Sequence, residues 1–247
     1  MILTIARKEF RSLLALPSTW LMLSGLQFIF AWFFLARLDA FLQVQAQLAQ
    51  IANAPGATLA IATPLFGTIA LIMMMLVPVF TMRLIAEERR NHTLTLLLTA
   101  PISDMHIVLG KFFGLLLFLL LIIGSCTVMV MTLAVGTRLD IGLLFCNALG
   151  IFLLAASYAA LGLYVSALTT QPVVAAISAM AILFGLWLGD VSATDSNATW
   201  QVITPSSHFH SFNVGLLNSA DLIFFLLFSI TFLLLTARRL HNNRIYG

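Results

Sequence analysis

Charged side chains are scarce in this sequence. Only 9% of its 247 residues are Asp, Glu, Lys or Arg, whereas 61% are hydrophobic. A soluble domain carries about a quarter charged residues, because its surface must be wetted. The composition therefore excludes a soluble globular fold and indicates a protein surrounded mostly by lipid. The formal charge of +3 does not indicate nucleic-acid binding, because the basic residues cluster beside apolar segments.

Cysteines and catalytic motifs are also sparse. Cys126 and Cys146 both lie in apolar runs, so we interpret them as packed side chains and not as a disulfide. The sequence has no HExxH metal motif and no G-x-S-x-G nucleophile elbow. Lys111 follows a glycine but lacks the upstream glycine of a phosphate-binding loop. We therefore expect no enzymatic activity, no metal site and no cofactor in this chain.

Long apolar segments are what the sequence has in abundance. A helix needs roughly 20 apolar residues to cross the hydrocarbon core of a bilayer. Six such segments cover residues 17–36, 61–82, 110–135, 141–168, 172–189 and 222–237. We therefore predict an all-α membrane protein in which six transmembrane helices form a single transmembrane domain over residues 1–247.

Lysine and arginine flank these segments unevenly. Ten lie on one side of the predicted membrane, namely Arg7, Lys8, Arg11, Arg83, Arg89, Arg90, Lys111, Arg238, Arg239 and Arg244. Arg37 and Arg138 fall on the other side. Positively charged residues favour the cytoplasmic side of a membrane. Both termini are therefore predicted to be cytoplasmic.

The segment before the first span alternates apolar and basic side chains. Phe10 lies among Arg7, Lys8 and Arg11, a pattern typical of an amphipathic helix in the membrane interface. Its basic face would lie towards anionic lipid headgroups. A flanking segment without a role of its own is the alternative interpretation.

Residues 190–220 form the longest polar interval, yet apolar side chains are scattered through it. This frequency favours an external loop that folds back onto the membrane surface or dips partly into it. His208 and His210 flank Phe209 within the loop. Without a carboxylate or cysteine nearby, this spacing is more typical of an ordinary loop than of a metal site.

Charged residues are nearly missing from the middle of the predicted spans. Ion-coupled pumps usually keep such residues there, because they are expensive in lipid and are retained for proton or ion relays. The chain therefore shows no energy source of its own.

Residues 83–111 form the most informative stretch and lie on the predicted cytoplasmic side. A charged run of residues 87–90 precedes an apolar ridge with helical i, i+3, i+4 spacing, formed by Leu94, Leu97 and Leu98. Pro101 is expected to end this helix, and Ser103 or Asp104 to cap the next. A short amphipathic helix held between two spans can transmit force to a soluble partner that binds it in a groove. An interfacial helix with no partner is the alternative.

At this stretch the sequence resembles the permease subunits of type-2 ABC transporters, in particular their gliding-motility GldF and NosY-like branch. The matching residues are Glu87, Glu88, Thr93, Leu96, Leu97, Leu98, Thr99, Pro101, Ser103, Ile107, Val108, Leu109, Gly110 and Lys111. Residues 166–176 resemble the family's turn between its fourth and fifth spans, and residues 204–221 resemble its external segment. His92 departs from the pattern, since the family usually has Gly there, and Thr95 stands where the family often has an acidic residue.

The resemblance implies a non-enzymatic permease of the bacterial inner (plasma) membrane, more often an exporter than an importer. A pair of cytoplasmic ABC ATPases would bind ATP and Mg²⁺, and a second permease copy or a related membrane subunit would complete the complex. The implied ATPase-coupling residues are Glu87, Glu88, Arg89, Arg90, Thr93, Leu94, Leu97, Leu98, Thr99, Pro101, Thr169 and Gln171. In the external loop, the resemblance singles out Pro205, His208 and Phe209.

Two other classes of function are compatible with the sequence. A secondary transporter or channel would work without an ATPase and would be favoured by an inverted repeat or a mid-membrane charge. A membrane scaffold would use the cytoplasmic helix to bind a protein that is not an ATPase.

Overall fold

The computed structural model of the protein describes residues 1–48, 56–93, 103–137, 139–192 and 202–246. Within these ranges the secondary structure is helical and contains no β-strand, which confirms the predicted all-α class. The principal helices are α1 (Ile2–Ala15), α2 (Pro17–Leu48), α3 (Ala57–Met82), α4 (Asp104–Met131), α5 (Ile141–Leu168), α6 (Pro172–Ser192), α7 (Pro205–Asn213) and α8 (Ser219–Tyr246).

Six of the helices in the described ranges are long and apolar enough to cross a membrane, as predicted: α2, α3, α4, α5, α6 and α8. The observed α5 has the bounds expected from the sequence, and α2, α3, α6 and α8 extend beyond theirs. Helix α4 begins earlier than expected and ends at Met131, where a 3-10 turn, Thr132–Val135, completes the expected span. The first span continues to Leu48 because its Ala-, Gln- and Leu-rich extension consists of good helix formers. The third begins at Asp104, whose charge favours a first helical turn.

Helix α5 forms the centre of the bundle and is the most extensively buried of the six. Small buried side chains such as Ala155, Ala159 and Gly162 let its neighbours approach closely. In contrast, α2, α6 and α8 leave large apolar side chains exposed, including Trp32 and Leu227. Exposed apolar surface of this kind is what contact with lipid requires.

Helix α7 packs against the bundle through one of its faces. Phe209 and Phe212 are buried, and a Cβ placed on Gly150 of α5 would lie 2.5 Å from the Cβ of Phe212. Gly150 is nine residues from the start of α5, which corresponds to about 13 Å along a helix. Helix α7 therefore contacts α5 well beyond the first turns of that helix. The dip of residues 190–220 into the membrane stays a prediction.

Candidate functional site

Five parts of the chain meet at one end of the bundle. They are α1, the end of α3, the start of α4, the turn between α5 and α6, and the last turns of α8. Hydrogen bonds or ion pairs join them across large separations in sequence. We call this region the charged end, because most of the described Lys and Arg residues lie there.

Two lysines and two glutamates form an ion cluster at the centre of the charged end. The Lys111 ammonium lies 2.7 Å from the Glu88 carboxylate and 3.1 Å from that of Glu9. Lys8 lies 3.2 Å from Glu9 and 3.6 Å from Glu88. The Lys111 side chain is only 1% exposed, so its charge depends on the two carboxylates for stabilisation. The cluster ties α1 and the end of α3 to α4.

Lys8 lies at the outer edge of this ion cluster, where its side chain is 61% exposed. Partial burial acts to lower its pKa, but the nearby Glu9 and Glu88 carboxylates outweigh that effect, and the pKa of Lys8 is raised above its ordinary value. Lys8 therefore carries its charge throughout the physiological range.

A close helix contact places Glu9 beside Lys111. A Cβ placed on Gly114 of α4 would lie 2.7 Å from the Glu9 Cβ and 2.8 Å from the Ala6 carbonyl oxygen. Gly110, one turn earlier, faces Ile5 at similar range. This G-x-x-x-G spacing creates a groove on α4 in which α1 lies.

The end of α3 departs from regular α-helical geometry. Arg83–Glu87 form a π-helical turn, followed by a single α-helical turn, Glu88–Arg90. The Ser166 hydroxyl of α5 accepts a hydrogen bond from the Ala86 N–H at 3.0 Å and donates to the Met82 carbonyl at 3.3 Å. It thus replaces the regular bond between residue 86 and residue 82. Turns of this kind are frequent at functional sites.

A second bond joins the same helix end to the turn between α5 and α6. The Arg89 guanidinium donates to the Ala167 carbonyl oxygen at 3.3 Å. Thr169 and Gln171 follow in that turn, where the Thr169 hydroxyl accepts from the Gln171 N–H at 3.2 Å. The structure therefore brings the two sequence segments with implied ATPase contacts close together.

The last turns of α8 close the charged end on another side. His241 Nδ1 lies 3.0 Å from the Asp104 carboxylate at the start of α4. Asp104 is largely buried, whereas the His241 side chain is 61% exposed. This pair fixes the beginning of α4 against α8. Residues 94–102 directly precede this part of α4 in sequence.

The implied coupling residues point in different directions. Glu87, Arg90 and Thr93 are exposed, whereas Glu88 turns inward to the ion cluster. His92 has a positive φ of 56°, a conformation that glycine adopts without strain and that explains why a glycine suits this position. Leu94, Leu97, Leu98, Thr99 and Pro101 lie outside the described residues.

Helix α1 exists as the amphipathic pattern indicates, but an acidic residue occupies its buried face. Arg7, Lys8 and Arg11 are exposed, and Phe10 is partly buried. Ala6, Glu9 and Leu13 face the bundle. The helix therefore packs on α4 through part of its surface and leaves its basic side chains accessible.

At the opposite end of the bundle, the residues that the sequence predicts in an external loop belong to α7. Pro205 is its first residue, and Pro205 and Phe209 are buried. His208 Nδ1 lies 2.6 Å from the Asp221 carboxylate, and its ring stacks on Phe224 with a centroid separation of 3.9 Å. These contacts attach α7 to the start of α8. Among the described residues, no three His, Cys, Asp or Glu side chains are grouped as a metal ion requires.

Sequence reasoning missed the central roles of Glu9 and Ser166. Glu9 is the one acidic residue in a basic helix, and Lys111 is a charge at the edge of an apolar span. A charge at the edge of an apolar span normally has a partner of opposite charge. An ion pair between Glu9 and Lys111 could therefore have been predicted from these two features together. Nothing in the sequence around Ser166 indicates a contact with a distant π-helical turn.

The six apolar helices agree with a comparison against known families. The profile of the ABC-2 family transporter proteins matches residues 3–236. No curated protein gives a significant match to the chain. The match spans all six apolar helices up to the last turns of α8. The chain therefore belongs to the ABC-2 transporter family, as a multi-pass membrane component that is not itself catalytic.

Proposed function

We propose that this chain is the permease subunit of an ABC exporter of the bacterial inner membrane, related to the GldF and NosY-like branch. Its charged end lies in the cytoplasm with both termini. A pair of ABC ATPases binds there, holds the ATP and Mg²⁺, and drives either transport or force transmission. A second copy of the chain, or a related membrane subunit, provides the other half of the pathway.

The ion cluster of Lys8, Glu9, Glu88 and Lys111 is the observation that supports this proposal. Residues 94–102 lie between Glu88 and Lys111 in sequence, and these two side chains are held 2.7 Å apart. A force applied to residues 94–102 is therefore delivered jointly to the ends of α3 and α4. Glu9 carries it to α1 as well.

Helix α5 receives the same force through different bonds. Ser166 holds the π-helical turn, and Arg89 binds the Ala167 carbonyl. Because α5 is the central helix, movement at the charged end reaches the middle of the bundle. Shifting a transporter from mostly inward-facing to mostly outward-facing requires about 5.5 kcal/mol of differential binding. ATP binding and hydrolysis by the partner ATPases supply that energy.

The exposed side chains indicate where a partner makes contact. Glu87 projects outward, whereas Glu88 is occupied by Lys111 and Lys8. We therefore assign an external ion pair with the ATPase to Glu87 and an internal role to Glu88. The exposed Arg7 and Arg11 of α1 face anionic lipid headgroups.

The test is co-purification of the chain with the ABC ATPase encoded beside it. Glu87→Lys should reduce the ATPase recovered by about tenfold, since it replaces an attraction with a repulsion. Asp39→Lys is the matched control, because Asp39 lies on α2 and far along the chain from the charged end. Unchanged recovery with Glu87→Lys, together with labelling of residues 87–93 from the external side, would refute the proposal.

A further inference from the structure

A cavity of about 620 Å³ lies between α3, α5, α6 and α7. Leu154 and Tyr158, near the middle of α5, form part of its wall, so the cavity reaches far into the bundle. Leu71 and His210 also line it and are exposed, which means that the cavity opens at the surface of the chain. Cavities of roughly 300–1,000 Å³ accommodate small organic molecules.

Among the described residues, Asp190 supplies the single carboxylate that lines the cavity. No Lys or Arg lines it in the described part of the chain. Asp190 accepts a hydrogen bond from the Thr204 hydroxyl at a long 3.4 Å, and Tyr158 and Ser206 line the same cavity. Residue 190 was expected to begin a polar loop, but α6 continues to Ser192 and places it in the cavity wall. A negative charge in such surroundings favours a cation.

Aromatic and apolar groups complete the lining. Trp187 lies one helical turn before Asp190, so the indole and the carboxylate share one face of α6. An indole face and a carboxylate together bind organic cations, the first through its π electrons and the second through its charge. Pro64, Leu71 and Leu154 provide apolar surface for the remainder of a ligand.

We propose that this cavity binds hydrophobic organic cations, with Asp190 pairing with the positive charge and Trp187 packing against it. The inference deepens the proposed function and rests on it in one respect, since the bound cation would be the exported substrate. Binding itself needs no ATPase, so the site is tested on the isolated chain.

The probe is tetraphenylphosphonium, measured by equilibrium dialysis against the full chain in nanodiscs after subtraction of empty nanodiscs. Asp190→Asn should weaken binding at least about tenfold, because a charge-assisted contact is lost. Asp190→Glu keeps the charge and should bind within about threefold of the unchanged protein. Trp187→Leu should also weaken binding, whereas Asp39→Asn, outside the cavity, should not.

Tetraphenylborate has the same shape and the opposite charge, and it should bind Asp190→Asn at least as well as the unchanged protein. Equal binding of the phosphonium ion to the unchanged protein and to Asp190→Asn would overturn the proposal. So would an equal loss of both ions with Asp190→Asn, because the site would then not distinguish a positive from a negative ligand. Cation binding without ATPase association would refute the proposed function alone, and ATPase association without Asp190-dependent binding would refute this site alone.

Discussion

Lys111 and Glu88 are 23 residues apart in sequence, yet their charged atoms lie 2.7 Å from one another at the charged end. Lys111 is buried, and the second oxygen of Glu88 is buried without a hydrogen-bond partner in the described structure. A buried pair contributes little net stability, but removal of one member leaves a charge without compensation. This asymmetry makes the pair a sensitive point of the fold.

Lys111→Met should destabilise the protein by about 3–5 kcal/mol, because Glu9 and Glu88 would keep their charges at a buried site. Unfolding of the purified protein in mixed micelles measures the change. Lys8→Met is the control. Lys8 contacts the same two carboxylates but is largely exposed, so its removal should cost about 1 kcal/mol or less.

Combining Lys111→Met with Glu88→Gln should recover part of the lost stability, because one of the two stranded carboxylates is then neutral. Equal effects of Lys111→Met and Lys8→Met would contradict the central position of Lys111 in the ion cluster.

Two glycines of α4 should respond in opposite ways to the same substitution. Gly→Ala within a helix normally stabilises by about 0.5–1 kcal/mol. Gly124→Ala should follow that rule, because an added Cβ at this position meets nothing within 4 Å. Gly114→Ala should instead lower the melting temperature, because its Cβ would collide with Glu9 and the Ala6 backbone. Similar stabilisation by both substitutions would show that α1 does not pack on α4.

Ser166→Ala should destabilise the protein by about 1–3 kcal/mol, since the Ala86 N–H would be left buried and unsatisfied. Ser178→Ala is a suitable control. The Ser178 hydroxyl donates only to carbonyl groups of its own helix, at 2.6 and 3.2 Å, and caps no distant backbone group. Denaturant unfolding of both variants measures the difference. Unchanged stability of Ser166→Ala would contradict the prediction. It would mean that the Ala86 N–H forms a regular helical bond to the Met82 carbonyl once the hydroxyl is removed.

The amino-acid sequence predicts the fold class and the number of spans well, because both depend on the length of apolar runs. The bounds of α5 follow from the charge at Asp140 and the turn after Leu168. The bounds of α2 and α8 could not be predicted in the same way. Both helices continue into segments that mix polar and apolar residues, and the length of an apolar run does not show where such a helix ends.

The candidate sites could be predicted only in part. The charged run at residues 87–90 indicates the region in which the ion cluster is found, but it does not distinguish the exposed Glu87 from the inward-facing Glu88. That distinction depends on Glu9 and Lys111, which come from other helices. Asp190 was assigned to a loop because its importance arises only when α7 folds back towards α6.

Helix α1 has a consequence for the order of assembly in the membrane. Its anchoring partner, Lys111, is 102 positions away from Glu9. The ribosome delivers the N-terminal part of a chain first, so α1 emerges long before the groove on α4 exists. The first helix to be made therefore cannot reach its final place before α4 has been made, and until then Glu9 lacks its partner Lys111.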